Sequence, residues 1–209
     1  MDHPELFMCL IGCKPRGRHI EQHDIFFGIA AGAQELIRQI NDFWPDGGRL
    51  HLDAWRRVNL VGGVEVQVLH KDVQEIGNGK GIEKENEQLT QHASGVPGRH
   101  LYFINLGGYQ PGRFEEYHHK LITVQADKAS AIKAAKQDEF FREAAGSHVD
   151  DQYGVDIDDL YNVEDILPAA VKDKYALVFK DTEKSDALER QPDTLHIGYT
   201  KLEQLQKMF

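Results

Sequence analysis

Residues 6–23, LFMCLIGCKPRGRHIEQH, recur at 101–118 as LYFINLGGYQPGRFEEYH. The two stretches are identical at Leu6/Leu101, Gly12/Gly107, Gly17/Gly112, Arg18/Arg113, Glu21/Glu116 and His23/His118, six of 18 aligned positions. Unrelated segments match at about one position in such a window. Phe7/Tyr102, Met8/Phe103, Cys9/Ile104 and Ile11/Leu106 are mild exchanges. A chain that repeats itself this way folds as two copies of one supersecondary unit.

Hydrophobic periodicity gives both copies the same order. In the first, 6–11 reads as a buried strand stopped by Gly12 and the turn signals Pro15 and Gly17, and 19–29 as a second strand. Leu36, Ile37, Ile40, Phe43 and Trp44 recur at helical spacing up to Pro45. The helix is expected to bury Leu36, Ile40, Phe43 and Trp44 against Ile25, Phe27 and Ile29. Strands 49–60 and 64–69 follow, joined at Gly62-Gly63. In the second copy, 101–106 is a strand, 107–112 a turn, 114–125 a strand and 127–145 a helix anchored by Ile132, Phe140 and Phe141. Two further strands are expected at 155–163 and 175–180. VDIDDLYNV at 155–163 aligns with LHLDAWRRV at 50–58 on alternate apolar positions.

The fold class expected is therefore α+β: two tandem ββαββ repeats related by a pseudo-two-fold axis, mainly antiparallel, with helices on one sheet face. Residues 1–70 form the first repeat, 71–99 a polar, glycine-rich linker and 100–181 the second repeat. Residues 182–209 form a tail with a short strand and a helix.

Charge and cysteine usage narrow the function classes. Twenty-four basic against 34 acidic side chains give a net charge of −10, a field that repels phosphate backbones, so nucleic acid is not an expected partner. No apolar run approaches the ~20 residues of a membrane span, and the N-terminal stretch lacks the basic region of a signal peptide. Cys9 and Cys13, about 13 Å apart in an extended segment, are too distant for a local disulfide, which needs α-carbons within about 7 Å. Cys9 reads as core, whereas Cys13 is expected at the turn. A reducing cytoplasm is the expected compartment.

Leu-Gly-Gly-x-x-Pro-Gly-x-x-x-Glu-x-His at 106–118 resembles the signature of a bacterial family of unknown function, DUF1543, which carries one or two copies of it. The first copy departs from the signature at Gly12-Cys13 and Arg16-Gly17 but keeps Glu21-Gln22-His23-Asp24. The second has His119 where the signature has aspartate. LHLDAW at 50–55 and the acidic run at 148–159 also look like family features. The resemblance implies no activity, cofactor or catalytic residue.

Four groups of residues are able to carry chemistry. Glu21-x-His23 and Glu116-x-His118 each place a carboxylate and an imidazole on one face of a strand. They would suit a divalent transition metal or an oriented general base, although a hydrogen-bonded clamp behind the turn is the preferred reading. Asp53 aligns with Asp158; a rival register would instead pair His51-x-Asp53 with His148-x-Asp150, and the first is preferred because it matches more apolar positions. The acidic run 148–165 departs from EF-hand spacing and reads as a solvated surface. Arg18 and Arg113, in turns able to cradle an anion, are candidate ligand-binding residues or partners of the neighbouring glutamates.

Two functions follow. The leading one is a cytoplasmic, non-catalytic binding or interaction module, with a small molecule or a protein as partner. The alternative is a small-molecule enzyme or metal-dependent protein using Glu21, His23, Glu116 and His118 where the two repeats meet.

Overall fold

A computed structural model describes residues 3–71, 98–109, 112–140, 156–182 and 193–207 of the chain. The chain divides into two compact units, Met1–Gly95 with Leu167–Phe209, and Val96–Ile166. It is a mixed α+β protein in which all strand pairs are antiparallel among the described residues. No helix among them is long and apolar enough to cross a membrane.

The first unit runs β1 (Glu5–Cys13), β2 (Gln22–Ala30), α1 (Ala33–Phe43), β3 (His51–Arg57), β4 (Leu60–Val61) and β5 (Val64–His70). The second runs β6 (His100–Tyr109), β7 (Glu116–Gln125), α2 (Lys128–Ala135) and β8 (Asp156–Asn162). In each, the first strand is central, flanked by the second and third: β3-β1-β2 and β8-β6-β7. The ββαβ order and the sheet order both recur.

The fourth strand of the second repeat goes elsewhere. Residues 175–181 form β9 (Tyr175–Asp181), which pairs with β5 across seven positions in the first unit. Val66 and Val68 face Phe179 and Leu177 across that pair, and all four are buried. The alternation of apolar residues along β9 was legible in the sequence, but its partner strand was not. The tail strand, β10 (His196–Lys201), also returns to this unit and adds to β3, giving a four-stranded sheet β10-β3-β1-β2. The final turns, Leu202–Lys207, are a 3-10 helix that buries Leu202 and Leu205.

The core of the first unit lies between α1 and one sheet face. Phe7, Cys9, Ile11 and Cys13 of β1, Phe26 of β2, and Leu52 and Trp55 of β3 pack with Leu36 and Ile40 of α1. The helix therefore rests on the face bearing Phe26, opposite to the Ile25, Phe27 and Ile29 expected from the sequence. Strand alternation puts those three on the other side, where Phe27 and Ile29 are still buried. Among the expected helix anchors, Phe43 is 42% exposed and Trp44 packs only partly buried. In the second unit Ala131 and Ala135 of α2 pack on Tyr102, Ile104 and Leu106, joined by Phe140. Ile132, read as an anchor, is exposed, because the small alanines let the helix lie close on a different stripe.

Gly12 and Gly107, read as strand stops, lie inside their strands and pair on both sides. Cys13 consequently lies within β1 and is buried, not exposed at the turn. The true turn glycines are Gly17 and Gly112, with φ of 83° and 75°, the left-handed region that disfavours a side chain. Phe141, most of the linker and the segment 148–155, with His148 and Asp150, lie outside the described residues.

Both third strands carry a bulge. On β1, Leu10 faces Ala54 and Ile11 faces Leu52, so Asp53 has no opposite residue. On β6, Asn105 faces Asp159 and Leu106 faces Ile157, so Asp158 has none. Asp53 and Asp158 are thus equivalent, as the preferred sequence alignment has it. The helix-facing residues accordingly change step, from Leu50 and Leu52 to Trp55, and from Ile157 to Leu160.

Candidate functional site

The site in each unit is built on the central-strand glycine. Gly12 lies opposite His23 on β2 and His51 on β3, so the two imidazoles flank it on one face, the face away from α1. Glu21, two residues before His23, joins them, and Asp53, two residues after His51, stands on the same face, left unpaired by the bulge. A Cβ at Gly12 would overlap His51 Nε2 and Asp53 Oδ2. Glycine is needed here for clearance, not for conformational freedom.

Four groups converge. His23 Nε2 is 3.0 Å from Asp53 Oδ2 and 3.7 Å from Glu21 Oε2. His51 Nε2 is 3.1 Å from Glu21 Oε1 and 3.3 Å from Asp53 Oδ1. Each carboxylate thus offers one oxygen to each imidazole. Despite these distances, His51 Nε2 and Asp53 Oδ2 are buried without a hydrogen-bond partner. Buried polar atoms left without a partner are costly unless something else is bound. The His51 side chain is only 6% exposed and lies under Tyr199 of β10, with ring centroids 4.4 Å apart.

The second unit repeats the arrangement in part. Gly107 lies opposite His118 and Asp156, and a Cβ there would overlap the carboxylate of Asp158. His118 Nε2 is 3.2 Å from Asp158 Oδ2 and 3.7 Å from Glu116 Oε2. One ligand atom from each of Glu116, His118 and Asp158 lies within 4.8 Å of the others, a set able to hold a metal ion. Asp156 occupies the position of His51, but it is exposed and its Oδ1 accepts from the Ile157 amide. His119 turns away from this set, sits 3.4 Å from Asp138 and stacks on Phe140.

Burial pushes the Asp158 carboxyl above its ordinary range, aided by Glu116, opposed by His118 and aided again by Asp159 and Asp156. A carboxyl raised in this way favours the fold while protonated and penalises it as pH rises through its folded value. In protein stripped of divalent ions by a chelator, Asp158→Asn should therefore raise the melting temperature at pH 7 by about 1–3 °C, the size of a fraction of a kcal/mol in a chain of this length. The gain should vanish below the ordinary carboxylate range, where Asp158 is neutral in both states. A melting temperature lowered at pH 7 would mean that the carboxylate is a structural clamp.

Arg18 and Arg113 are exposed on the turns, and neither forms an ion pair with Glu21 or Glu116. The sequence pointed to Glu21, His23, Glu116, His118 and the Asp53/Asp158 pair, and the geometry draws these together within each unit. His51 was weighed only in the rival register, because the second copy has no histidine to match it. The sign of its membership was local: a His-x-Asp step on the strand next to a Glu-x-His step.

Residues 18–68 match the family model described as Domain of Unknown Function (DUF1543). The match takes in Glu21, His23, His51 and Asp53. No curated protein matches the chain. Among solved structures, the chain is similar to the crystal structure of a protein Il1583 from Idiomarina loihiensis. The identity is 19% and the TM-score 0.52, over 95% of this chain and 97% of that chain. At that identity the likeness speaks for the fold.

Proposed function

We propose that the protein is a duplicated binding module in which each repeat holds one divalent metal ion. The ligands in the first are Glu21, His23, His51 and Asp53, and those in the second Glu116, His118 and Asp158. The observation that carries the reading is the glycine-cleared convergence, built from the same strand positions in both units. Half-exposed groups such as Glu21 and His23, 46% and 44% exposed, add little stability as ion pairs, so a purely structural clamp gives a weak reason for repeating them. Both carboxylate and imidazole are ligands of first-row divalent ions. Arg18 and Arg113, three residues before each glutamate and without an ion pair among the described residues, would hold an anionic ligand that completes the coordination. The sites need no meeting of the repeats, since each draws its ligands from its own unit.

Elemental analysis of protein purified without an affinity tag, with calorimetric titration of the metal-free chain, tests this. Two equivalents of divalent ion are expected for the wild type. Asp53→Asn with Asp158→Asn should lose both while the circular dichroism spectrum is retained. Absence of bound metal, together with a melting temperature unmoved by zinc or manganese ions well above micromolar concentration, would remove the reading, because a bound ion must stabilise the native state.

A further inference from the structure

We infer that the two sites take different classes of ion: the first a zinc-class ion held by four protein ligands, the second a manganese-class ion held by three ligands and water. The inference rests on the metal-binding reading above. The donor sets decide it. The first site offers two imidazoles and two carboxylates, whereas the second offers one imidazole and two carboxylates. Imidazole nitrogen favours zinc, while carboxylate and water oxygens favour manganese and magnesium; the one retained histidine in the second site argues for manganese.

Geometry points the same way. A tetrahedral ion with bonds of about 2.0–2.2 Å sets its ligand atoms roughly 3.3–3.6 Å apart. The four contacts around the first site are 3.0, 3.1, 3.3 and 3.7 Å and run through both oxygens of each carboxylate, so an entering ion would draw one oxygen of Glu21 and one of Asp53 inward between the two imidazoles. The fourth donor, His51, has its Nε2 buried and without a hydrogen bond, and the ring of Tyr199 lies against its imidazole. In the second site that corner belongs to Asp156, whose Oδ1 is engaged by the Ile157 amide. The corner stays open to solvent, and an ion there keeps water in its shell, as manganese tolerates better than a closed zinc site does.

The two sites differ chiefly at one aligned position, His51 against Asp156, which makes the inference exchangeable. Zinc outbinds manganese at any donor set of this kind, so the quantity to measure is the zinc-to-manganese affinity ratio of each site. The metal-free full chain would be titrated with zinc chloride and with manganese chloride by calorimetry, and manganese followed by electron paramagnetic resonance. Wild type should show two classes of zinc site, the stronger at least ~100-fold tighter, since a lost ligand costs more than the roughly 10–100-fold of a lost outer-shell partner. After one equivalent of zinc, manganese should fill one remaining site.

His51→Asp should abolish the tight class and leave two sites of low zinc-to-manganese ratio. Asp156→His, at an exposed position that tolerates substitution, should create a second tight zinc class. Two zinc sites of one class, unmoved by Asp156→His, would overturn the difference while leaving metal binding intact. Failure of either ion to bind at either site would overturn the metal reading itself.

Discussion

Gly12→Ala should cost the first unit its proposed metal site outright, with zinc affinity there falling at least ~100-fold, and should lower stability by about 1–3 kcal/mol through overpacking. The added methyl overlaps His51 Nε2 and Asp53 Oδ2. Asp53 is able to swing outward, but the His51 ring is held between the sheet and Tyr199. The neighbours of Gly12, Ile11 and Cys13, are in the helix-side core and anchor the strand, so the backbone cannot back away. Gly107→Ala should remove the second proposed site at less cost to stability, because the atoms nearest the added methyl belong to the Asp158 carboxylate at the end of a short side chain. Calorimetric titration and urea denaturation of both variants check this. A Gly12→Ala protein as stable and as well loaded as the wild type would mean that the four groups do not converge over Gly12.

Trp55→Ala should be the most damaging single truncation of those considered, costing about 3–5 kcal/mol. Trp55 is 2% exposed and belongs to the core beneath α1. It packs on Phe7 at 6.5 Å and stacks on His196 of β10, with ring centroids 3.9 Å apart and planes 7° from parallel. It is therefore both a core residue and the clasp of the returning tail, which Asp193 also ties to the amides of Asn59 and Leu60. Denaturant midpoints would measure the loss. Amide exchange should show β10 opening before β1, since β10 is an edge strand and β1 is central. A cost under 1 kcal/mol would contradict the packing.

The ββαβ element order of each half and the shared face of Glu-x-His were legible because they follow from identity and alternation in the sequence. The Asp53/Asp158 register was legible for the same reason: nine positions of apolar pattern outweighed the attraction of a matching His-x-Asp. What could not be read was anything set by the third dimension. A glycine between apolar residues signals a turn as readily as a close approach, so Gly12 and Gly107 were misplaced while Gly17 and Gly112 were not. The partner of β9 depends on which sheet edge is free, a property of the folded sheet and not of Tyr175–Asp181 itself. His51 was set aside with the rival register because the comparison of halves hides a residue that only one half possesses.

The unpaired aspartate on each third strand also marks where the strand can lose a residue and keep its register. Ahead of Asp53 the helix-facing residues are Leu50 and Leu52; past it comes Trp55, out of step with them by one. Substituting Asp53 leaves the bulge in place, whereas deleting it would bring Leu52 next to Ala54, opposite the adjacent Ile11 and Leu10, and set Leu50, Leu52 and Trp55 on one unbroken alternation toward α1. Asp158 stands in the same place between Ile157 and Leu160. An alignment gap at either position would therefore mark a relative whose strand keeps its core face in a regular ladder but has lost the carboxylate beside the central glycine.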